Sequence, residues 1–330
     1  MNNETKYIEQ PANRTCSRPA LLCACKYTAI ALAIAWLLPP NDCQAGTIAV
    51  PNYSFESPVV PPVSPYASPS FDSWQKTPQP AWYIPSQNHD TPWDTLMGEF
   101  YNVQFPGSFI DNCDGSQAAF LFALPDVGLF QDYDSVSGTN AVPSHAFNAK
   151  FKVGDSYALT VAVLGGGGSM KPGVTLQLGL YYRDASSNAI TVASTTITNS
   201  SALFPTNTHF VDFSVFLPQV KASDPWAGQN IGIQLLSTVG FDLAGGYWDV
   251  DNVRLQTPAV ILGNVGLTNG TFSLTVQGAP GSVFEVQGTT NINPGATWIS
   301  LGTFTNKTGV ASFTDSAAKS NSRFYRARQL

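Results

Sequence analysis

From residue 46 to the C-terminus, no stretch repeats its apolar residues at helical spacing. Short runs rich in Val, Thr, Phe and Tyr recur instead, broken by Gly, Pro and Asn. Such a chain hides apolar surface by alternation, one face inward and one outward, and this predicts an all-β sandwich or barrel. Clear strands are expected at 118–124, 157–164, 175–182, 191–198, 209–216, 231–237 and 248–255. Four glycines, Gly165 to Gly168, follow one of them as a turn, and residues 184–188 form a polar hairpin tip.

The first 45 residues read as a leader outside the folded protein. Lys6, Arg14, Arg18 and Lys26 precede an apolar run from Tyr27 to Leu38, closed by Pro39 and Pro40. Small residues at Cys43-Gln44-Ala45 offer a cleavage site, so a signal peptide over 1–45 and a secreted product are expected. The run is too short to span a bilayer comfortably, so no membrane span is expected after cleavage. Four of the five cysteines lie in the leader, and Cys113 alone remains, so no internal disulfide is expected. A chain of this length buries a core without one.

Charge is distributed unevenly. Residues 46–256 carry seven basic and seventeen acidic side chains, whereas 257–330 carry five basic and two acidic. An acidic domain with few lysines argues against nucleic acid, whose phosphates need cationic neutralisation. It suits neutral sugars and divalent cations.

Two segments bracket the larger domain. An early Asn52-x-x-Phe55-Glu56 answers a late Trp248-Asp249-Val250-Asp251-Asn252-Val253-Arg254-Leu255. With Asp114-Gly-Ser-Gln-Ala-Ala-Phe120 and Gly154-Asp-Ser-Tyr-Ala-Leu-Thr160, they resemble the galactose-binding-like jelly rolls, which include many carbohydrate-binding modules. The resemblance implies a jelly-roll β-sandwich over 46–256. Around Thr257 a second unit begins. Its Val286-Gln-Gly-Thr-Thr-Asn291 stretch and terminal Arg323-Phe-Tyr-Arg-Ala327 resemble a small immunoglobulin- or fibronectin-like module of secreted bacterial proteins, expected over 257–330.

Such jelly rolls often bind calcium where the first and last strands meet. The resemblance implies a structural calcium ion at Asn52, Glu56 and Asp251, oxygen donors of the kind calcium takes. The alternative is that Glu56 caps a turn and Asp251 accepts backbone hydrogen bonds. Asp249 and Asp251 stand two apart, so on a strand both point to one face, with Arg254 on the other.

Residues 57–110 differ from the rest, being proline-rich and aromatic, which predicts long ordered loops. Aromatic rings stack on sugar faces while amides and carboxylates satisfy hydroxyls. Trp74, Trp82, Tyr83 and Trp93, with Asn88, Asp90 and Asp94, are therefore the expected ligand-binding set. The alternative is that these rings plug the sandwich end as core.

Catalysis finds little support in the motifs. Gly154-Asp155-Ser156 lacks the late Asp-x-x-His of the esterases that use such a triplet, and His89, His145 and His209 lack metal-ligand spacing. A glycosidase pair among Asp90, Asp94 and Glu99 has nothing to mark it. The sequence-level expectation is a secreted, non-catalytic protein binding a polysaccharide or glycoconjugate. A structural or adhesive surface protein attached to the cell envelope is the second reading, and an extracellular hydrolase the third.

Overall fold

The computed structural model describes residues 20–25 and 46–330, except 104–107, 138–139, 259–260, 269–270, 279, 294–295 and 317–321. The all-β expectation holds. The described residues form antiparallel sheets, with only two short 3-10 turns, Pro85–Gln87 and Trp93–Leu96.

Two sheets make the larger sandwich. One runs in the order Val211–Leu217, Tyr157–Gly167, Tyr247–Thr257, Gln117–Phe122, Met97–Tyr101, Ala67–Ser68, with Gly46–Ile48 pairing the far end of Tyr247–Thr257. The other runs Ala189–Thr198, Thr175–Arg183, Gly232–Ser237, Gly128–Gln131, Gln75–Lys76. The early and late segments singled out in the sequence do meet: Ile48 pairs with Leu255, and the Val253 amide donates to the Tyr53 carbonyl.

Directly paired residues share a face of a sheet, so register identifies what is inside. In the first sheet Val163 pairs with Val250, Val250 with Ala119, and Ala119 with Glu99. The three apolar members are fully buried and belong to the main core, so this row faces inward. The adjacent row, Leu164, Asp249, Phe120 and Gly98, faces outward.

A bulge interrupts the alternation. Ala162 pairs with Asp251 but Thr160 pairs with Arg254, so the final strand carries one extra residue there. Asn252 takes it up with φ +48, a left-handed conformation that asparagine tolerates. Arg254 is thereby returned to the outer face, contrary to strict alternation, and its Nη2 meets Asp212 Oδ1 at 2.5 Å.

Past Thr257, three strands (Ile261–Thr268, Thr271–Gln277, Val310–Asp315) and four (Ala20–Cys25, Ser322–Gln329, Val283–Thr289, Ile299–Thr305) form two further sheets. Phe272, Leu274, Val276, Phe284, Val286, Tyr325 and Ala327 make a separate core. Most of the expected leader lies outside the described residues; its Ala20–Cys25 pairs antiparallel with Ser322–Gln329.

Candidate functional site

The outward face of the larger sheet carries an unusual row. Asp249 sits between Leu164 on one neighbouring strand and Phe120 on the other. It is 8% exposed and has no hydrogen-bond or ion-pair partner among the described residues. Burial without compensation penalises the charged form, and the carboxyl is pushed up to about 8. Burial thus favours the protonated form of Asp249.

Aromatic side chains extend from it. Tyr247 and Phe122 are a directly paired couple one step along the same face, with ring centroids 6.3 Å apart, and Phe120 lies 6.1 Å from Phe122. Phe122 is 39% exposed, so the patch reaches solvent. Burial, and next the Asp249 charge, raise the Tyr247 hydroxyl, which places that ring beside the acid. Gly98 is required where it stands: a methyl there would lie 2.7 Å from the Phe120 ring and 2.4 Å from the Ser68 carbonyl. The missing side chain lets Phe120 lie over the neighbouring strand.

Asp251, one step along the same face, is fully buried but differently placed. Its Oδ2 accepts from the Asp114 amide at 2.7 Å and its Oδ1 from its neighbour's, Asn252, at 2.7 Å. Burial outweighs these bonds and lifts it to about 7. Beside it, burial, with the nearby Asp251 and Glu56 charges, drives the Cys113 thiol well above its usual range. A thiol so held is a poor nucleophile.

The three expected calcium ligands are divided between two sets of partners. Glu56 grips the chain at 116–117, accepting from the Ser116 and Gln117 amides at 2.7 Å each and from the Ser116 hydroxyl at 2.9 Å. Asp251 grips the Asp114 amide of the same loop. Asn52 instead turns inward, donating to the carbonyls of Ser57 (2.6 Å) and Asp72 (3.0 Å) and to Glu99 Oε1 (3.2 Å). Glu99, on the inner face and fully buried, leaves Oε2 without a partner, and burial pushes its carboxyl up to about 9. Ser57 Oγ is pressed against Asp72 Oδ2. Ser57, Asp72 and Glu99 thus bring oxygens of the kind calcium takes around the Asn52 amide nitrogen, with Glu99 Oε2 unsatisfied. No group of three or more His, Cys, Asp and Glu is gathered for a metal among the described residues.

The aromatic loops are mostly core. Trp74, Tyr83 and Trp93 are 2%, 2% and 5% exposed. The Trp74 indole donates to the Asn52 carbonyl, the Trp93 indole to the Thr77 carbonyl, and the Tyr83 hydroxyl to the Thr91 carbonyl. Rings without open faces cannot stack on a sugar. Trp82 is half-buried, edge-on to Phe241, and bonds to Asp126. Asn88 bonds back to the Ile84 carbonyl, and Asp90 and Asp94 are exposed. Among the described residues, none of these is hydrogen-bonded or ring-stacked to the outer-face row.

A family model described as HpiC1-like, HpiC1 cyclase, matches residues 46–256. No curated protein matches. Among solved structures, a cyclase from Fischerella sp. TAU is 21% identical over 64% of this chain and 97% of its own, with a TM-score of 0.44. A cyclase from the same organism, in complex with 4-(1H-indol-3-yl)butan-2-one, is 22% identical over 65% and 99%, with a TM-score of 0.44. The xylan-binding domain of Paenibacillus barcinonensis Xyn10C is 11% identical over 56% and 85%, with a TM-score of 0.29. The cyclase match over the larger domain overturns four expectations: the galactose-binding-like, carbohydrate-binding assignment, the non-catalytic function, the absence of enzymatic activity, and the polysaccharide or envelope partner. The quoted motifs hold strands together in a shared sandwich, and a fold hosts many functions, which is why they misdirected the functional reading.

Proposed function

Since the chain belongs to the HpiC1-like cyclase family over residues 46–256, we propose that its outer sheet face is an acid-assisted cyclisation site with Asp249 as proton donor. The observation that carries this reading is a buried carboxyl, without a partner among the described residues and pushed by burial toward its protonated form, beside a solvent-reaching aromatic patch. A neutral carboxyl at pH 7 is a competent general acid, the state apolar sites impose on carboxylic acids.

The chemistry follows from the surroundings. Asp249 donates its proton to an electron-rich centre of the substrate. Positive charge develops on carbon and faces the π-surfaces of Phe120, Phe122 and Tyr247, which stabilise it. An internal π-bond closes on that carbon, and loss of a proton to the Asp249 carboxylate completes the ring and restores the acid. Atoms balance, so product and substrate are isomers. The patch suits a small molecule with an apolar ring system.

We assign a structural calcium ion to the oxygens of Ser57, Asp72 and Glu99, beside Asn52. The ion would join Lys76 in offsetting the carboxylates of this part-buried cluster, bracing the first strand segment against the inner face behind Asp249. The leader reading makes the enzyme secreted, and N-terminal sequencing of the mature protein checks it.

The test is a screen of ring-bearing small molecules for mass-neutral conversion, read by chromatography coupled to mass spectrometry. Conversion by the wild type that Asp249→Asn abolishes supports the reading. Undiminished conversion by that variant removes Asp249 from the chemistry.

A further inference from the structure

The outer face is not left bare around Asp249, and what crosses it is the chain between Ile110 and Ser116. This segment is pinned at both ends. On one side the Asp114 amide donates to Asp251. On the other, Asn112 Nδ2 donates to the Phe210 carbonyl at 3.0 Å and its Oδ1 accepts from the Phe210 amide at 2.8 Å. The Asp111 amide adds a bond to the Thr208 carbonyl (3.0 Å), and its carboxylate meets His209 Nδ1 at 2.6 Å. Ile110 is held in turn by the Asn102 side chain, through bonds of 2.9 and 3.0 Å.

Register fixes where this strap runs. Asp251 pairs with Ala162, and Asp249 with Leu164. Val211 pairs with Val163, so Phe210 lies level with Leu164 and hence with Asp249. A segment bonded to Asp251 and to Phe210 must cross the Tyr157–Gly167 strand between Ala162 and Leu164. Outward-facing residues should be exposed, yet Ala162, Leu164 and Asp249 are 6%, 2% and 8% exposed, and Ile110 is 2% exposed. The strap's bonds to Asp251 and Phe210 span these positions.

We infer that the Ile110–Ser116 strap closes the strand side of the Asp249 site, and that Asn112, by clasping the Phe210 backbone, is the positioning residue that keeps it closed. This rests on the proposed role of Asp249. The strap leaves the aromatic side open to the substrate and removes water from the other, so the acid is desolvated before any ligand arrives. The charged and titratable groups on the elements around it are Tyr247 and Asp251 on its own strand, Asp111, Cys113 and Asp114 on the strap, Glu56 at the strap's root, His209 at the latch, and the Asp212–Arg254 pair on the outer face.

The carboxyl stretch of protonated Asp249, isolated as the infrared difference between wild type and Asp249→Asn, reads the consequence without a substrate. In the wild type the band is expected to disappear with a midpoint near pH 8. In Asn112→Ala the midpoint is expected to fall by about one unit or more as water enters, with the near-ultraviolet circular dichroism unchanged. A wild-type band already lost below pH 6 would overturn the acid itself. A high wild-type midpoint that Asn112→Ala leaves in place would overturn the strap while the acid stands. If Asn112→Ala does not fold, the double variant Asp111→Ala/His209→Ala, at side chains 61% and 57% exposed, carries the same comparison.

Discussion

Replacing Asp249 with asparagine should stabilise this protein at neutral and alkaline pH. In the unfolded chain the carboxyl titrates near 3.8, whereas in the folded chain it is pushed to about 8. A raised carboxyl favours folding fully below the unfolded value, and that contribution is lost as pH climbs toward the folded value. Relative to an always-neutral amide, the aspartate costs nothing at pH 3. It costs about 4 kcal/mol at pH 7 and more above it, at about 1.4 kcal/mol per unit of difference in proton affinity. The asparagine keeps the shape but removes the titration. Urea unfolding of both proteins at pH values from 4 to 9 measures this directly. The variant should gain several kcal/mol between pH 4 and pH 8, with the gap levelling beyond pH 8. Asp251 and Glu99 titrate in both proteins and cancel in the difference. Parallel stability curves across that range would refute the claim that Asp249 is folded in its protonated form. A stability gain accompanied by lost turnover would identify an acid kept for chemistry at the expense of the fold.

Four further outcomes are expected. Trp93→Ala should lose about 3–5 kcal/mol of unfolding free energy, since its ring is buried and its indole bonded to Thr77; a loss below about 1 kcal/mol in denaturant titration would contradict its core role. Asn252→Val should cost about 1–3 kcal/mol because a β-branched residue cannot take φ +48 without strain, whereas Asn252→Gly should be nearly neutral. Chelator should lower the melting temperature of the wild type, and added calcium should raise that of the wild type but not of Glu99→Gln; equal response in both removes Glu99 from the ion's shell. Phe120→Ala should weaken binding of 2-naphthol, used as a neutral aromatic probe in ligand-observed nuclear magnetic resonance, at little cost in melting temperature, and unchanged binding would place the ligand elsewhere.

The fold is legible because it depends on alternation, and alternation is written in the residues. Leu159, Val161 and Val163 face inward in the structure as their spacing requires. The bulge is not legible. Nothing in Asp251-Asn252-Val253-Arg254 shows that one residue is extra, so alternation alone puts Arg254 on the wrong face. The aromatic loops mislead for a different reason. Proline-rich sequence shows that a segment is not a strand, but not which way its rings point, and Trp74, Tyr83 and Trp93 turn into the core.

The site is half visible. The spacing of Asp249 and Asp251 places them on one face, but two neighbouring carboxylates suggest a cation. The strap amide that satisfies Asp251 comes from a loop 137 residues away in sequence, and the burial of Asp249 is a tertiary fact that its own strand does not announce. Phe120 stands inside a motif that reads only as scaffold. The signal that could have found it is Gly98, a glycine within a strand, which marks close approach by a neighbouring side chain.

The central claim is that Asp249 donates the proton for ring closure, and the most direct measurement is turnover by wild type and Asp249→Asn on the first substrate converted without change of mass. A loss of about 100-fold or more is expected in the variant, the range over which a general acid contributes, with folding intact by circular dichroism. A well-folded Asp249→Asn that closes the ring at the wild-type rate would contradict it.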